Sequence, residues 1–154
     1  MPEDASLPTV VASLASWSRW QPFTPEVIRQ APVLPGVYLF QQDGALVYVG
    51  RAGERSGKGL RGRLTIYVSG RAPHSGLGNL ALERALQEPS WLRERLEEVE
   101  AGQTLTVQQW SRLAVERAAL RVCWSTTSTT EEGAVLERAV LDVLKEERLW
   151  NRLR

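Results

Sequence analysis

The amino-acid sequence predicts a mixed α/β fold of the α+β kind: a small, mainly antiparallel three-stranded sheet flanked by helices, with further helices inserted in its middle. Three observations lead there. PGVYLFQQDGALVYVG, residues 35–50, sets two apolar and aromatic runs around Asp43-Gly44, the pattern of a β-hairpin. LRVCWST, residues 120–126, is β-branched and aromatic enough for a third strand. Most of the remaining chain carries apolar residues at helical spacing between glycine and proline breaks.

Taken in order, Val10, Val11, Leu14 and Trp17 stand at helical spacing within residues 9–20, and Pro22 and Pro25 close that segment. Thr24 reads as an N-cap, with Pro25 opening a short helix that ends near Gln30 because Pro32 follows. After the hairpin, residues 50–59 are a glycine-rich, basic loop, and Leu60, Leu64, Tyr67 and Val68 continue as a helix stripe ended by Gly70 and Pro73. Residues 80–100 and 106–119 read as helices, with breaks at Pro89 and Gly102. The last helix is expected from Glu132 to about Trp150, mostly apolar at its centre. A chain of 154 residues suits one domain. Its expected parts are an N-terminal helical extension (1–32), the hairpin and following helix (33–69), a helical insertion (70–119), and the third strand with the last helix (120–154).

Composition narrows the function classes. One histidine and one cysteine cannot build a Cys/His zinc site, a two-histidine metal centre or a disulfide framework. The acidic N-terminus has the wrong sign for a signal peptide, and no run approaches the roughly 20 apolar residues of a membrane span. The expectation is a soluble, cytoplasmic protein with no membrane partner. The formal net charge is only +1, yet Arg51, Arg55, Lys58, Arg61, Arg63 and Arg71 face Glu54 alone between residues 51 and 71, a local excess of +5. Such a segment suits a phosphate backbone, so Arg51, Arg55, Lys58, Arg61 and Arg71 are candidate DNA contacts. A solvated loop is the plain alternative. GERSGKG resembles a phosphate-cradling loop but fails its spacing, since Ala52 and Gly59 occupy the positions of the required glycine and hydroxyl.

Tyr38 and Tyr48 lie ten residues apart, so whether they share a sheet face depends on the turn. A three-residue loop, Gln42-Asp43-Gly44, pairs Gln41 with Ala45 and Tyr38 with Tyr48. It also gathers Val37, Leu39, Ala45, Val47 and Val49 on the opposite face. A two-residue loop would separate the tyrosines. Arg63 and Tyr67 stand at i and i+4 on one helix face, which also suits an arginine lying over a ring. Glu137 has Gly133, Ala134, Val140 and Leu141 at helical neighbour positions, none charged, so its carboxylate needs a partner from elsewhere: a metal ion, an arginine or solvent. Asn151 either serves a site or caps the last helix. His74 in its Gly/Pro-rich loop reads as a surface residue, and the six tryptophans read mainly as core.

Gly36-Val37-Tyr38 and Tyr48-Val49-Gly50 on the two hairpin arms, followed in order by Arg63, Tyr67, Glu137 and Asn151, resemble the GIY-YIG nuclease superfamily over roughly residues 35–151. The chain is most similar to the nuclease domain of the excision-repair incision subunit. The resemblance implies a metal-dependent DNA endonuclease, a phosphodiester hydrolase acting in DNA repair, recombination or restriction. It implies that Glu137 holds one divalent ion, Mg²⁺ or Mn²⁺, and that Arg63 grips the scissile phosphate. Tyr67, Tyr48 and Asn151 would place phosphate and water, and Tyr38 or Tyr48, with Tyr38 preferred, would take the proton. Relatives usually carry lysine where Arg51 follows the second motif, and the 70–119 insertion is longer than theirs. Targeting is expected from that insertion, the N-terminal helices, another protein or a second DNA-binding module. The competing reading is a degenerate nuclease fold that binds DNA or protein without cutting.

Overall fold

In the computed structural model, which describes residues 6–54 and 58–151, the strands β1 (Gln21–Pro22), β2 (Gly36–Gln42), β3 (Ala45–Ala52) and β4 (Arg121–Thr126) form one antiparallel sheet ordered β1-β4-β2-β3. The helices among the described residues are α1 (Thr9–Ala12), α2 (Pro25–Ile28), α3 (Gly59–Val68), α4 (Gly76–Ala85), α5 (Pro89–Glu100), α6 (Val107–Ala118) and α7 (Thr130–Val143). The mixed class is as expected, and the strand count is corrected from three to four.

The extra strand has a local cause. The first helix stops after one turn at Ala12; Val11 is buried but Val10 and Leu14, expected beside it, are 52% and 37% exposed. The freed chain runs along β4. Ser18 donates its N–H to the Trp124 carbonyl (2.8 Å) and its hydroxyl accepts from the Trp124 N–H (2.9 Å). Gln21 and Pro22 then pair with Val122 and Arg121, at the sheet edge where proline is tolerated. Thr24 caps α2 by accepting from the Val27 N–H, as its position before Pro25 predicts.

The hairpin differs from expectation in a way that matters for the tyrosines. Asp43 (φ 50°) and Gly44 (φ 81°) make a two-residue turn with both central residues left-handed, the I′ geometry matched to strand twist. Gln42 pairs with Ala45 and Gln41 with Leu46, but Phe40 pairs with Tyr48. A β-bulge therefore inserts one extra residue into β3 and reverses the side-chain parity beyond it. The two-residue loop alone would separate Tyr38 from Tyr48; the bulge returns both to one face, with Gly50, not Tyr48, opposite Tyr38. On the other face Val37, Leu39 and Val49 pack with Val11, Cys123, Val140 of α7 and Leu144 just beyond that helix. Leu46 joins this cluster, whereas Ala45, expected there, is exposed.

The last helix ends at Val143, not near Trp150. Leu144 is its final buried residue, and the exposed Lys145, Glu146, Glu147 and Arg148 give a longer helix nothing to pack. The chain instead returns to the outermost strand, where the Trp150 N–H donates to the Val47 carbonyl (2.5 Å).

Two compact units result. The first comprises the described residues up to Thr65 and from Leu120 onward; the second is Ile66–Ala119, beginning within α3 instead of at residue 70. In the second, Gly70 adopts φ 79°, and a Cβ there would lie 2.7 Å from the Arg112 nitrogen, so α3 ends on glycine for both conformational and steric reasons. Its core holds Ala85, Trp91 and Ala114, with Trp91 and Trp110 rings nearly perpendicular at 5.6 Å. The Arg95 guanidinium lies 4.9 Å from the Trp91 ring and binds both Glu98 oxygens at 2.8 and 2.9 Å. No helix among the described residues is long and apolar enough to cross a membrane.

Candidate active site

Five candidate residues of the first unit, Tyr38, Tyr48, Arg51, Glu137 and Asn151, meet on four consecutive positions of β3, residues 48–51. Tyr48 is the first of them, and its ring stacks on Tyr38 with centroids 6.4 Å apart and planes 19° from parallel. Phe40 packs edge-on to Tyr38 at 5.6 Å, and Phe23 edge-on to Phe40 at 4.7 Å, so both phenols belong to an aromatic cluster. Tyr38 is 1% exposed and Tyr48 8%. The Tyr38 ring covers Gly50: a Cβ at that position would stand 2.5 Å from ring carbon Cε2. That close approach is the physical reason for the second glycine of the paired tripeptides. Gly36 serves β4 and α3 similarly, since a Cβ there would lie 3.1 Å from the Ser125 carbonyl carbon and 3.0 Å from Leu60 Cδ1.

At Val49 the partner is Asn151. Its Oδ1 accepts the Val49 N–H at 2.9 Å and its Nδ2 donates to the Val49 carbonyl at 2.7 Å. The side-chain amide thus imitates one residue of a neighbouring strand on the outer edge of β3. It does not cap the last helix, which ends at Val143.

At Arg51 the partner is Glu137. The Arg51 Nε lies 3.6 Å from Glu137 Oε1, with side-chain exposures of 50% and 24%. Of the partners the sequence left open, arginine is the one observed. Burial pushes the Glu137 carboxyl above its usual range, and the Arg51 charge opposes this without reversing it. Strand alternation puts Arg51 on the α7 side with Val37 and Val49, while Tyr38 and Tyr48 occupy the opposite face. The carboxylate and the phenols therefore approach β3 from its two faces.

Arg63 is half-buried on α3, whose start is held to the chain before β2 by the Leu60 N–H to the Leu34 carbonyl and the Arg61 N–H to that of Pro32, both 2.9 Å. Tyr67, one turn after Arg63, lies on the buried stripe of α3 with Leu60 and Leu64, each 0% exposed, and falls in the second unit. Among the candidate DNA contacts, Lys58 and Arg71 are exposed, while Arg61 spends its Nε on the Ala31 carbonyl at 2.8 Å. Arg55 lies outside the described residues. His74 is exposed. Thr130, which the sequence did not single out, accepts the Glu54 N–H at 3.2 Å and so fixes the end of β3 to the start of α7.

Among the described residues there is no cluster of three or more His, Cys, Asp and Glu side chains able to enclose a metal ion. A single carboxylate still suits Mg²⁺, which retains several waters and shares its remaining positions with substrate phosphates. Glu137 is charge-deficient in the required sense: half-buried, with its acidity weakened by burial and one loosely placed cation beside it. The residue present fits a hard divalent ion on those terms. No family model, curated protein or solved structure matches the chain.

Proposed function

We propose that this protein is a metal-dependent endonuclease that hydrolyses phosphodiester bonds in DNA. The observation that carries the reading is the convergence of Tyr38, Tyr48, Arg51, Glu137 and Asn151 on residues 48–51 of one edge strand, from positions up to 113 residues apart in the chain (151 − 38). Phosphodiester hydrolysis needs a positioned nucleophilic water, a base for its proton, and positive charge where the phosphoryl oxygens gain negative charge. The Arg63 guanidinium supplies bidentate hydrogen bonds to the scissile phosphate. One of the stacked tyrosines, Tyr38 or Tyr48, would accept the water proton in its phenolate form, having first lost its own proton, and the other hydroxyl would orient the water. Asn151 acts at one remove, by fixing the backbone of Val49 between them. Arg51 and the exposed Lys58 add positive charge for the DNA backbone. Glu137 would hold a divalent ion, which when bound would supply Lewis acidity toward a phosphate oxygen.

The test is nicking of supercoiled plasmid with Mg²⁺ or Mn²⁺. Wild type should cut, and Arg63→Ala and Glu137→Gln should each slow cutting by about 10² or more. Equal rates for wild type and Glu137→Gln remove Glu137 from the reaction.

One observation favours a second reading, a module that binds DNA without cutting it. Both phenols are at least nine-tenths buried, and the Asn151 amide is engaged by backbone. On that reading duplex DNA binds, no metal raises the melting temperature, and plasmid stays intact.

A further inference from the structure

We infer that Arg51 is the resident counterion of Glu137, and that a divalent cation reaches this carboxylate only by displacing it. The inference rests on the metal role proposed for Glu137 and adds what regulates that site. The pair has the form of an exchangeable contact. It is a single approach of Nε to one carboxylate oxygen at 3.6 Å, beyond hydrogen-bond range, where a committed arginine–carboxylate pair is bidentate below 3 Å. Arg95 and Glu98 show the committed form in this same chain, at 2.8 and 2.9 Å with the arginine 6% exposed. Arg51 is half-exposed on the outermost strand, so its guanidinium has solvent to move into. Glu137 depends on it, because the residues at i±3 and i±4 on α7 are Gly133, Ala134, Val140 and Leu141, none of them charged. An arginine beside a half-buried carboxylate both occupies it and repels an incoming dication.

Exchange has a directional consequence. The released guanidinium stays on the face of β3 that carries Glu137, opposite the phenols, so displacement frees a cation on the carboxylate's own side of the strand. Arg51 is accordingly a positioning residue that holds the carboxylate in place until the metal takes over.

The experiment is a Mn²⁺ titration of DNA-free protein, following loss of the free-ion paramagnetic resonance signal, for wild type, Arg51→Met, Arg51→Lys, Glu137→Gln and the double variant Arg51→Met/Glu137→Gln. Arg51→Met should bind Mn²⁺ about five- to tenfold more tightly than wild type at low salt, with the gain shrinking as salt rises. Arg51→Lys, which retains the charge, should stay within about twofold of wild type, and the double variant should lose the gain. Thermal melts of each variant confirm folding. If Glu137→Gln binds Mn²⁺ as wild type does, or if neither wild type nor Arg51→Met binds it, the metal role of Glu137 fails. If Glu137 binds the ion and Arg51→Met binds it no more tightly, the exchange fails while the metal role stands.

Discussion

Replacing Gly50 by alanine isolates the contact that joins the two tyrosine-bearing strands. The added methyl would stand 2.5 Å from Tyr38 Cε2, where ordinary carbon contacts begin near 3.4 Å, so the ring must retreat by about 1 Å. It has little room, being 1% exposed and bounded by Phe40 and Tyr48. Overpacking of this kind costs about 1–3 kcal/mol, partly offset by roughly 0.5–1 kcal/mol gained when alanine replaces glycine in a strand. The expected net loss is about 1–2 kcal/mol, a fall in melting temperature of roughly 2–8 °C for a chain of this size. Urea denaturation of wild type, Gly50→Ala, Tyr38→Leu and the double variant measures it. In the Tyr38→Leu background the alanine should cost less than about 0.5 kcal/mol, because the obstructing ring is gone. If Gly50→Ala matches wild type, or costs the same in both backgrounds, the ring does not explain the glycine, and the packing assigned to Tyr38 is wrong.

Asn151→Ala removes two hydrogen bonds to Val49 and should cost about 1–3 kcal/mol in urea denaturation. It should also speed amide exchange at Val49 more than at Leu39, and equal acceleration at both sites would mean that Asn151 does not act on the edge. The raised Glu137 carboxyl makes the folded protein hold a proton that the unfolded chain releases, so Glu137 contributes most stability below its ordinary value of 4.5 and loses it as pH rises through the raised one. Glu137→Gln, which cannot ionise, should therefore gain on wild type as pH rises from about 4.5 in paired melts without metal; a constant difference would contradict the burial. Burial pushes the Cys123 thiol up to about 12, leaving on the order of one part in 10⁴ as thiolate at pH 8. Iodoacetamide should label it in denaturant and hardly at all in the folded state, and rapid native labelling would show that the sheet opens there.

The parts of the fold written in neighbouring residues were legible. Asp43-Gly44 between apolar runs announces a hairpin, and Thr24 before Pro25 announces a capped helix start, because turn and cap chemistry is local. The register was not. Ala45-Leu46-Val47-Tyr48-Val49 is continuously apolar, so it carries no alternation from which to assign faces, and the bulge that decides the question leaves no mark in it. β1 was illegible for another reason: two residues, one of them proline, become a strand only because β4 and the Ser18–Trp124 bonds hold them. In the candidate site, the apolar neighbours of Glu137 announced a missing partner but could not name Arg51, 86 positions away in the chain (137 − 51). Asn151 could be singled out as a residue type, whereas its grip on Val49 across 102 residues is a property of the folded chain.

The return of residues 150 and 151 to β3 also acts as a selvedge. An outermost strand with open amides and carbonyls is a template on which another chain can stack, and here the protein's own tail occupies that margin at Val47 and Val49. Cutting the chain back to Glu147 would bare the margin while leaving every helix intact, so such a truncation should shift the protein from discrete particles toward concentration-dependent clusters.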